Sequence, residues 1–412
     1  MQKEKNFINN FAWNLIGVTF NAFLSFLFLV AVTRFNGLND AGIFTLAFST
    51  ACIIYVIGTY AGRVFQVTES KSISDKSFII NRTITCTIML LCTVIFVVIR
   101  KYSFYKCMIF FLLSMYKSLE AFSDVLYGIL QKNDLLNKVG KSYFIKALLS
   151  VIIFTLCDYL THNLILSCCI IILICIIVIL IYDLKNIKEL IPKTSAYSIN
   201  DIKTIFRKGF FVFVITFLAL YILNAPRYSI DNIGTEEMQA IFGIIIMPAT
   251  VMGLIGQLII HPYLNTFLKL YENNDLKEYL KLFIKVVSLI LFAGLIACIC
   301  AYYFGPWILG MIYNINLETY AVALLLILIA GTFYTIGSVV SGLLTAMKYN
   351  FIQFILYSIT SVIEFILCYY LVLHKGLFGA TLAYLLSMIT FFILLLIAFV
   401  YKIVKKTRGG KK

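Results

Sequence analysis

The feature that most constrains this chain is the spacing of its apolar runs. A helix needs roughly 20 mainly apolar residues to cross a bilayer, and twelve such runs follow one another with short polar breaks. They are Phe11–Val32, Ala41–Phe65, Thr83–Ile99, Tyr105–Ile129, Tyr143–Cys157 and Leu164–Ile181, then Gly209–Leu223, Ala240–Ile260, Phe283–Phe304, Ala321–Ala346, Phe351–Leu373 and Phe378–Tyr401. The runs are continuous, which predicts helices; barrel strands would alternate. Only 13% of the residues are charged, and no stretch is polar for long enough to form a soluble domain. The expected fold is an all-α polytopic membrane protein. The first run reads as a span and not as a cleavable signal: it is too long, holds Asn14 and Asn21, and lacks a small-residue cleavage site.

Basic residues set the direction. If the N-terminus is cytoplasmic, the segments on that side and the adjoining span ends hold 27 Lys and Arg, the opposite side holds 6, and Lys117 lies inside a span. That bias predicts a multi-pass protein with both termini in the cytoplasm. It also accounts for the net charge of +15 as a topogenic signal beside anionic lipid, with no call for nucleic acid. The 11 cysteines fall in apolar runs, and the 3 histidines lie far apart, so neither a disulfide framework nor a metal site is expected. No G-x-x-x-x-G-K-[ST] loop is present, which argues against an internal ATPase, and no cofactor is expected.

The longest connection separates two six-helix halves. The expected division is a bundle over 1–182, a cytoplasmic linker with an interfacial amphipathic helix over 183–208, a second bundle over 209–401 and a basic tail over 402–412. The linker signals are Pro192, the cap Ser198-Ile199-Asn200-Asp201, and Ile202, Ile205 and Phe206 at helical spacing. The halves resemble each other weakly. Gly37-Leu38-Asn39-Asp40-Ala41-Gly42-Ile43-Phe44 follows the first span, and residues 234–242 follow the seventh; Ser123–Gln131 ends the fourth, and Gly337–Thr345 stands in the same place in the tenth. Six spans per half make parallel repeats, a transporter architecture.

These stretches resemble the polysaccharide-flippase branch (Wzx-type, serving O-antigen and capsule) of the multidrug/oligosaccharidyl-lipid/polysaccharide exporter superfamily. The likeness covers nearly the whole chain. It rests on Val32-Thr33-Arg34-Phe35-Asn36-Gly37 leading to Ala41-Gly42-Ile43-Phe44, on Gly128-Ile129-Leu130-Gln131, on Asp201-Ile202-Lys203, and on Gly376–Ala383 opening the last span. The resemblance implies a MATE-like fold of two six-helix bundles in a bacterial cytoplasmic membrane. It implies passage of a polyprenyl-pyrophosphate-linked oligosaccharide from the inner to the outer leaflet by alternating access. A coupling ion (H+ or Na+) and other polysaccharide-assembly proteins are possible partners.

An ionisable side chain inside the bilayer is costly and is a functional candidate by default. The fourth span carries Lys117, Glu120 and Asp124 at offsets that put them on one helical face. They are expected to line a wet cavity, although an internally paired Lys117–Glu120 that only joins helices is the plainer reading. Asp124 needs a further partner, for which Arg63 is the candidate; Arg63 could equally be an end-of-helix anchor. Arg34 and Arg227 stand in matching places beyond the first and seventh spans, and guanidinium suits pyrophosphate because it donates bidentately and stays charged; lipid headgroups are the alternative partners. The expected cationic cleft is therefore Arg34, Arg63, Lys117 and Arg227. Asn14 and Asn21, with Tyr357 and Ser361 on the eleventh span, are read as polar cavity lining or helix-to-helix hydrogen bonding. Glu364, Asp124 and Glu120 are the ion-coupling candidates. Drug–cation antiport is the first alternative, opposed by the absence of an acid from the first span. A membrane polymerase is the second, opposed by the lack of an extramembrane catalytic surface, so an enzyme is not expected.

Overall fold

A computed structural model of the chain describes residues 2–60, 62–68, 73–191 and 196–409, and every regular element among them is a helix. The first nine are α1 (Gln2–Ala22), α2 (Leu24–Phe35), α3 (Leu38–Thr59), α4 (Gly62–Thr68), α5 (Asp75–Arg100), α6 (Phe104–Lys132), α7 (Leu136–Thr161), α8 (Leu164–Val178) and α9 (Leu184–Ile187), with a π-helical turn at Ile179–Asp183 before α9. Then come α10 (Ile199–Ile233), α11 (Glu236–Ile245), α12 (Met247–Ile260), α13 (Leu264–Glu272), α14 (Leu276–Tyr313), α15 (Ala321–Ala346) and α16 (Asn350–Gly409). Among the described residues, ten apolar helical segments are long enough to cross a membrane. One of them, Asn350–Thr407, has 58 residues, more than twice the roughly 20 that one crossing needs, and breaks at Gly376 with φ 54. α6 is 29 residues long but carries Lys117, Glu120 and Asp124, which lower its hydropathy. Splitting α16 and adding α6 gives the twelve spans expected from the sequence.

The structure moves several limits. The second run, Ala41–Phe65, is not one helix: it stops at Thr59, Tyr60 and Gly62 take positive φ of 24 and 69, and the short α4 follows. The first run breaks at Phe23 between α1 and α2, and the eighth breaks at Ile246, ahead of Pro248, between α11 and α12. The interfacial segment at 198–206 and the seventh span form one helix, α10. Pro192 and Lys193 lie outside the described residues.

The chain divides into two compact units, Met1–Leu220 and Tyr221–Lys412. In the first, α6 is the central helix, buried at Ala121 and from Ser123 to Leu130 and packed by α3, α4, α5 and α8. Lipid tails are as apolar as leucine, so helix association here depends on close packing of small residues. α1 crosses α7 at Gly17 and Gly140, where a Cβ on either would overlap the other helix's backbone. In the second unit α15 is central, packed by α12, α14 and α16, with Gly331 against Ala249 and Gly294 against Thr332.

Candidate functional site

Within the first unit, α6 carries Lys117, Glu120 and Asp124 on one face as the offsets required. The Lys117 ammonium donates to Glu120 at 2.6 Å and sits over the Phe48 ring of α3, 4.7 Å from its centroid. Asp124 meets two guanidinium groups: Nη2 of Arg82 on α5 at 3.4 Å and Nε of Arg63 on α4 at 3.8 Å. Three cations thus surround two carboxylates, leaving one net positive charge. Side-chain exposure runs from 5% for Arg82, through 11% and 14% for Lys117 and Glu120, to 24% for Arg63. The site is largely enclosed, with Arg63 its most exposed member.

The break after α3 builds this site. The last carbonyls of a helix have no partner within it, and here that of Gly58 accepts from Thr85 Oγ1 at 2.6 Å and from Arg82 Nη1 at 3.2 Å. The two positive-φ residues then redirect the chain into α4, which places Arg63 beside Asp124. A straight second span would not do this. Tyr60 fixes the corner: its hydroxyl donates to the Phe206 carbonyl at 2.8 Å and its ring stacks on Phe213, centroids 4.8 Å apart.

A second charged network lies next to the first. Lys146 on α7 donates to Asp183 at 2.5 Å, Ser123 Oγ at 2.6 Å and Tyr127 Oη at 2.9 Å. Ser142 Oγ donates to the other Asp183 oxygen at 2.5 Å and stands 2.8 Å from Tyr127 Oη. Asp183 closes the π-helical turn, a backbone irregularity that often marks functional positions in helices.

Arg82, Lys146 and Asp183, none of them among the candidates read from the sequence, are all buried and paired. A signal for them existed. Ser142, Lys146 and Ser150 recur at offsets of 4 and 8, and Asn81, Arg82 and Thr85 share one face of α5.

Of the other candidates, Arg34, Asn14 and Asn21 belong to the first unit and Arg227, Tyr357, Ser361 and Glu364 to the second. Arg34 is exposed in the last turn of α2, next to Asn36, whose amide donates to Asp158 at 2.8 Å. Asn14 and Asn21 are half-buried on α1. In the second unit Arg227 is buried, its guanidinium 5.9 Å from the Phe242 ring centroid. Gln353 accepts from Ser341 at 2.7 Å and donates to Thr345 at 2.9 Å, while the Tyr357 hydroxyl donates to Ser341 at 3.0 Å. Tyr357 thus joins α15 to α16, and Ser361 donates to the Tyr357 carbonyl of its own helix at 2.8 Å. Glu364 is fully buried, and neither carboxyl oxygen has a hydrogen-bond partner among the described residues. It lies within electrostatic reach of Tyr221, Cys368 and Tyr384.

A multi-pass helical chain with a charged central helix in its first unit has counterparts among known structures. A lipid II flippase MurJ in an inward closed conformation superposes with a TM-score of 0.72, covering 95% of this chain and 89% of its own, at 16% identity. An inward-facing multidrug resistance MATE family transporter of the MOP superfamily gives 0.71, covering 96% and 99%, at 13% identity. The chain is also 26% identical over 393 residues to a capsular polysaccharide biosynthesis protein, CapF, of Staphylococcus aureus, which spans 92% of this chain and 96% of that protein. No family model matches. The chain therefore has a MATE-like fold, and its similarity to CapF agrees with the polysaccharide branch read from the sequence.

Proposed function

We propose that this protein is a flippase that moves a polyprenyl-pyrophosphate-linked oligosaccharide from the inner to the outer leaflet of a bacterial cytoplasmic membrane, for assembly of a surface polysaccharide. The observation that carries this reading is the α6 site. Its net positive charge, built from Lys117, Arg63 and Arg82 against Glu120 and Asp124, suits a pyrophosphate that must bind and leave again. Pairing each cation with a carboxylate moderates the field, so the anion is attracted without being trapped. The likeness to CapF supports the substrate class. The fold is shared by flippases and drug transporters and does not separate them.

In this reading transport proceeds by alternating access, both termini are cytoplasmic, and export is coupled to a proton or a sodium ion. Glu364 is the coupling carboxyl in this reading, and its lack of a partner among the described residues supports the choice. Glu120 and Asp124 have cationic partners; Glu364 has none among the described residues. A buried carboxylate without a partner is costly, so a proton or a cation must meet its charge, and a difference in that affinity between two states would drive transport. The test is deletion of the gene followed by analysis of lipid-linked oligosaccharide in each leaflet. Accumulation in the inner leaflet, reversed by the parent gene, is expected; unchanged distribution with normal surface polymer would refute the proposal.

A further inference from the structure

The second unit is electrically lopsided. Its helices alternate in direction, so α13, the start of α14 and the end of α16 lie at one end. That end carries seven lysines against three carboxylates, Glu272, Asp275 and Glu278, in residues 264–285 and 402–406. The opposite end of the unit, residues 227–237, 318 and 375, has two cations against four carboxylates.

The basic end is also built for an interface. α13 is a short amphipathic helix that buries Phe267 and leaves Leu268 and Lys269 exposed, the pattern of a helix lying in the membrane surface. Aromatic rings tie the elements together: Phe267 and Tyr271 meet Tyr279 of α14 at 5.1 and 6.0 Å, and Phe283 stacks on Phe399 of α16 at 4.7 Å. Tyrosine faces hold several of the ammonium groups in place. Lys402 lies 4.6 Å from the Tyr349 centroid and Lys285 5.6 Å from that of Tyr263. Lys406 rests on the Tyr271 ring and donates to the Tyr271 carbonyl.

We propose that this end of the second unit binds the phosphate headgroups of anionic phospholipids in the adjoining leaflet. Charge complementarity selects the partner: lysines concentrated beside an interfacial helix attract anionic lipid, and tyrosines suit the headgroup level. Ordering the ammonium groups in advance lowers the entropy lost on binding. The inference is independent of what the protein transports.

The test uses the full chain in vesicles of phosphatidylcholine with spin-labelled phosphatidylglycerol or phosphatidylcholine, reading the motionally restricted fraction of each label. The parent should prefer the anionic label by about threefold or more at low salt, and the preference should shrink as salt rises. K269Q/K281Q/K285Q and K402Q/K405Q/K406Q should each at least halve that preference, K402R/K405R/K406R should retain it, and K185Q/K188Q/K203Q in the first unit should change it less. Equal association of the two labels with the parent would overturn the proposal. So would preference surviving both glutamine sets, loss in the arginine set, or an equal effect of the first-unit set.

Discussion

Lys146 and Asp183 should behave as one buried unit. Asp183 is fully buried and Lys146 is 6% exposed, and their 2.5 Å bond is joined by Ser123, Tyr127 and Ser142. Lys146→Met removes the one cation paired with the carboxylate among the described residues and leaves it there with Ser142. Asp183→Leu leaves the ammonium with two hydroxyl oxygens and no counter-charge. Breaking a buried pair from either side costs about 3–5 kcal/mol, whereas replacing both partners with apolar residues of similar volume is often neutral or better. Each single variant should therefore lose about 3–5 kcal/mol, a hundredfold or more in the folding equilibrium. The double variant should lie within about 1 kcal/mol of the parent.

Reversible unfolding in mixed micelles gives the four free energies of the cycle. With those losses their coupling should be about 5 kcal/mol or more, above the roughly 0.5–3 kcal/mol usual for residues in contact. Single losses below about 1 kcal/mol would show that water reaches the pair. A double loss equal to the sum of the single losses would show that the two residues do not act together.

Lys117→Ala should abolish surface polysaccharide at normal membrane abundance, with Lys117→Arg partly active; immunoblot and polymer staining separate export from folding, and normal export by the alanine variant would remove Lys117 from the path. Glu364→Gln should keep the fold and detach flipping from the ion gradient, measured as lipid-linked oligosaccharide appearing in the outer leaflet with and without a protonophore or a sodium gradient; parent-like export that remains gradient-dependent would exclude this carboxyl. Gly140→Val should destabilise the first unit by roughly 1–3 kcal/mol, the usual range for overpacking, because its Cβ meets the α1 backbone at Trp13; an unchanged melting temperature would contradict the close α1–α7 crossing. Cysteine at Asn36 or Thr235 should react with an impermeant reagent in intact cells, and at Lys188 only after permeabilisation; the reverse pattern would invert the orientation.

The spans were legible because bilayer thickness imposes a length and a composition on every crossing helix, and Lys117, Glu120 and Asp124 were legible because helical offsets fix which residues share a face. The Lys117–Glu120 contact followed from an i, i+3 spacing alone. Arg82 was not legible as Asp124's second partner, since that contact spans 42 positions and depends on α3 ending at Thr59. Hydropathy does not mark that ending: the apolar run continues through Val64 and Phe65 while the backbone turns at Tyr60 and Gly62. Lys146 was hidden for a different reason. A lysine near a span end looks like an anchor until a carboxylate from another helix reaches it, and Asp183 does so from a π-helical turn that no spacing rule anticipates.

The internal repeat helps to separate packing from function. Tyr127 on α6 and Ser341 on α15 occupy matching positions in the two units, and each joins its helix to the next: Tyr127 to Ser142 and Lys146, Ser341 to Gln353 and Tyr357. A buried polar contact at this place therefore belongs to the architecture, and it works with charges in one unit and without them in the other. Lys117, Glu120 and Asp124 have no such counterpart, because α15 contains no charged residue from Ala321 to Ala346. Each charge near the middle of a span costs roughly 2.5–3.5 kcal/mol on insertion, so α6 bears a penalty that α15 avoids while holding the same central place among its neighbours. A helix in that place can fold and pack without the charges, so packing alone does not require the α6 stripe.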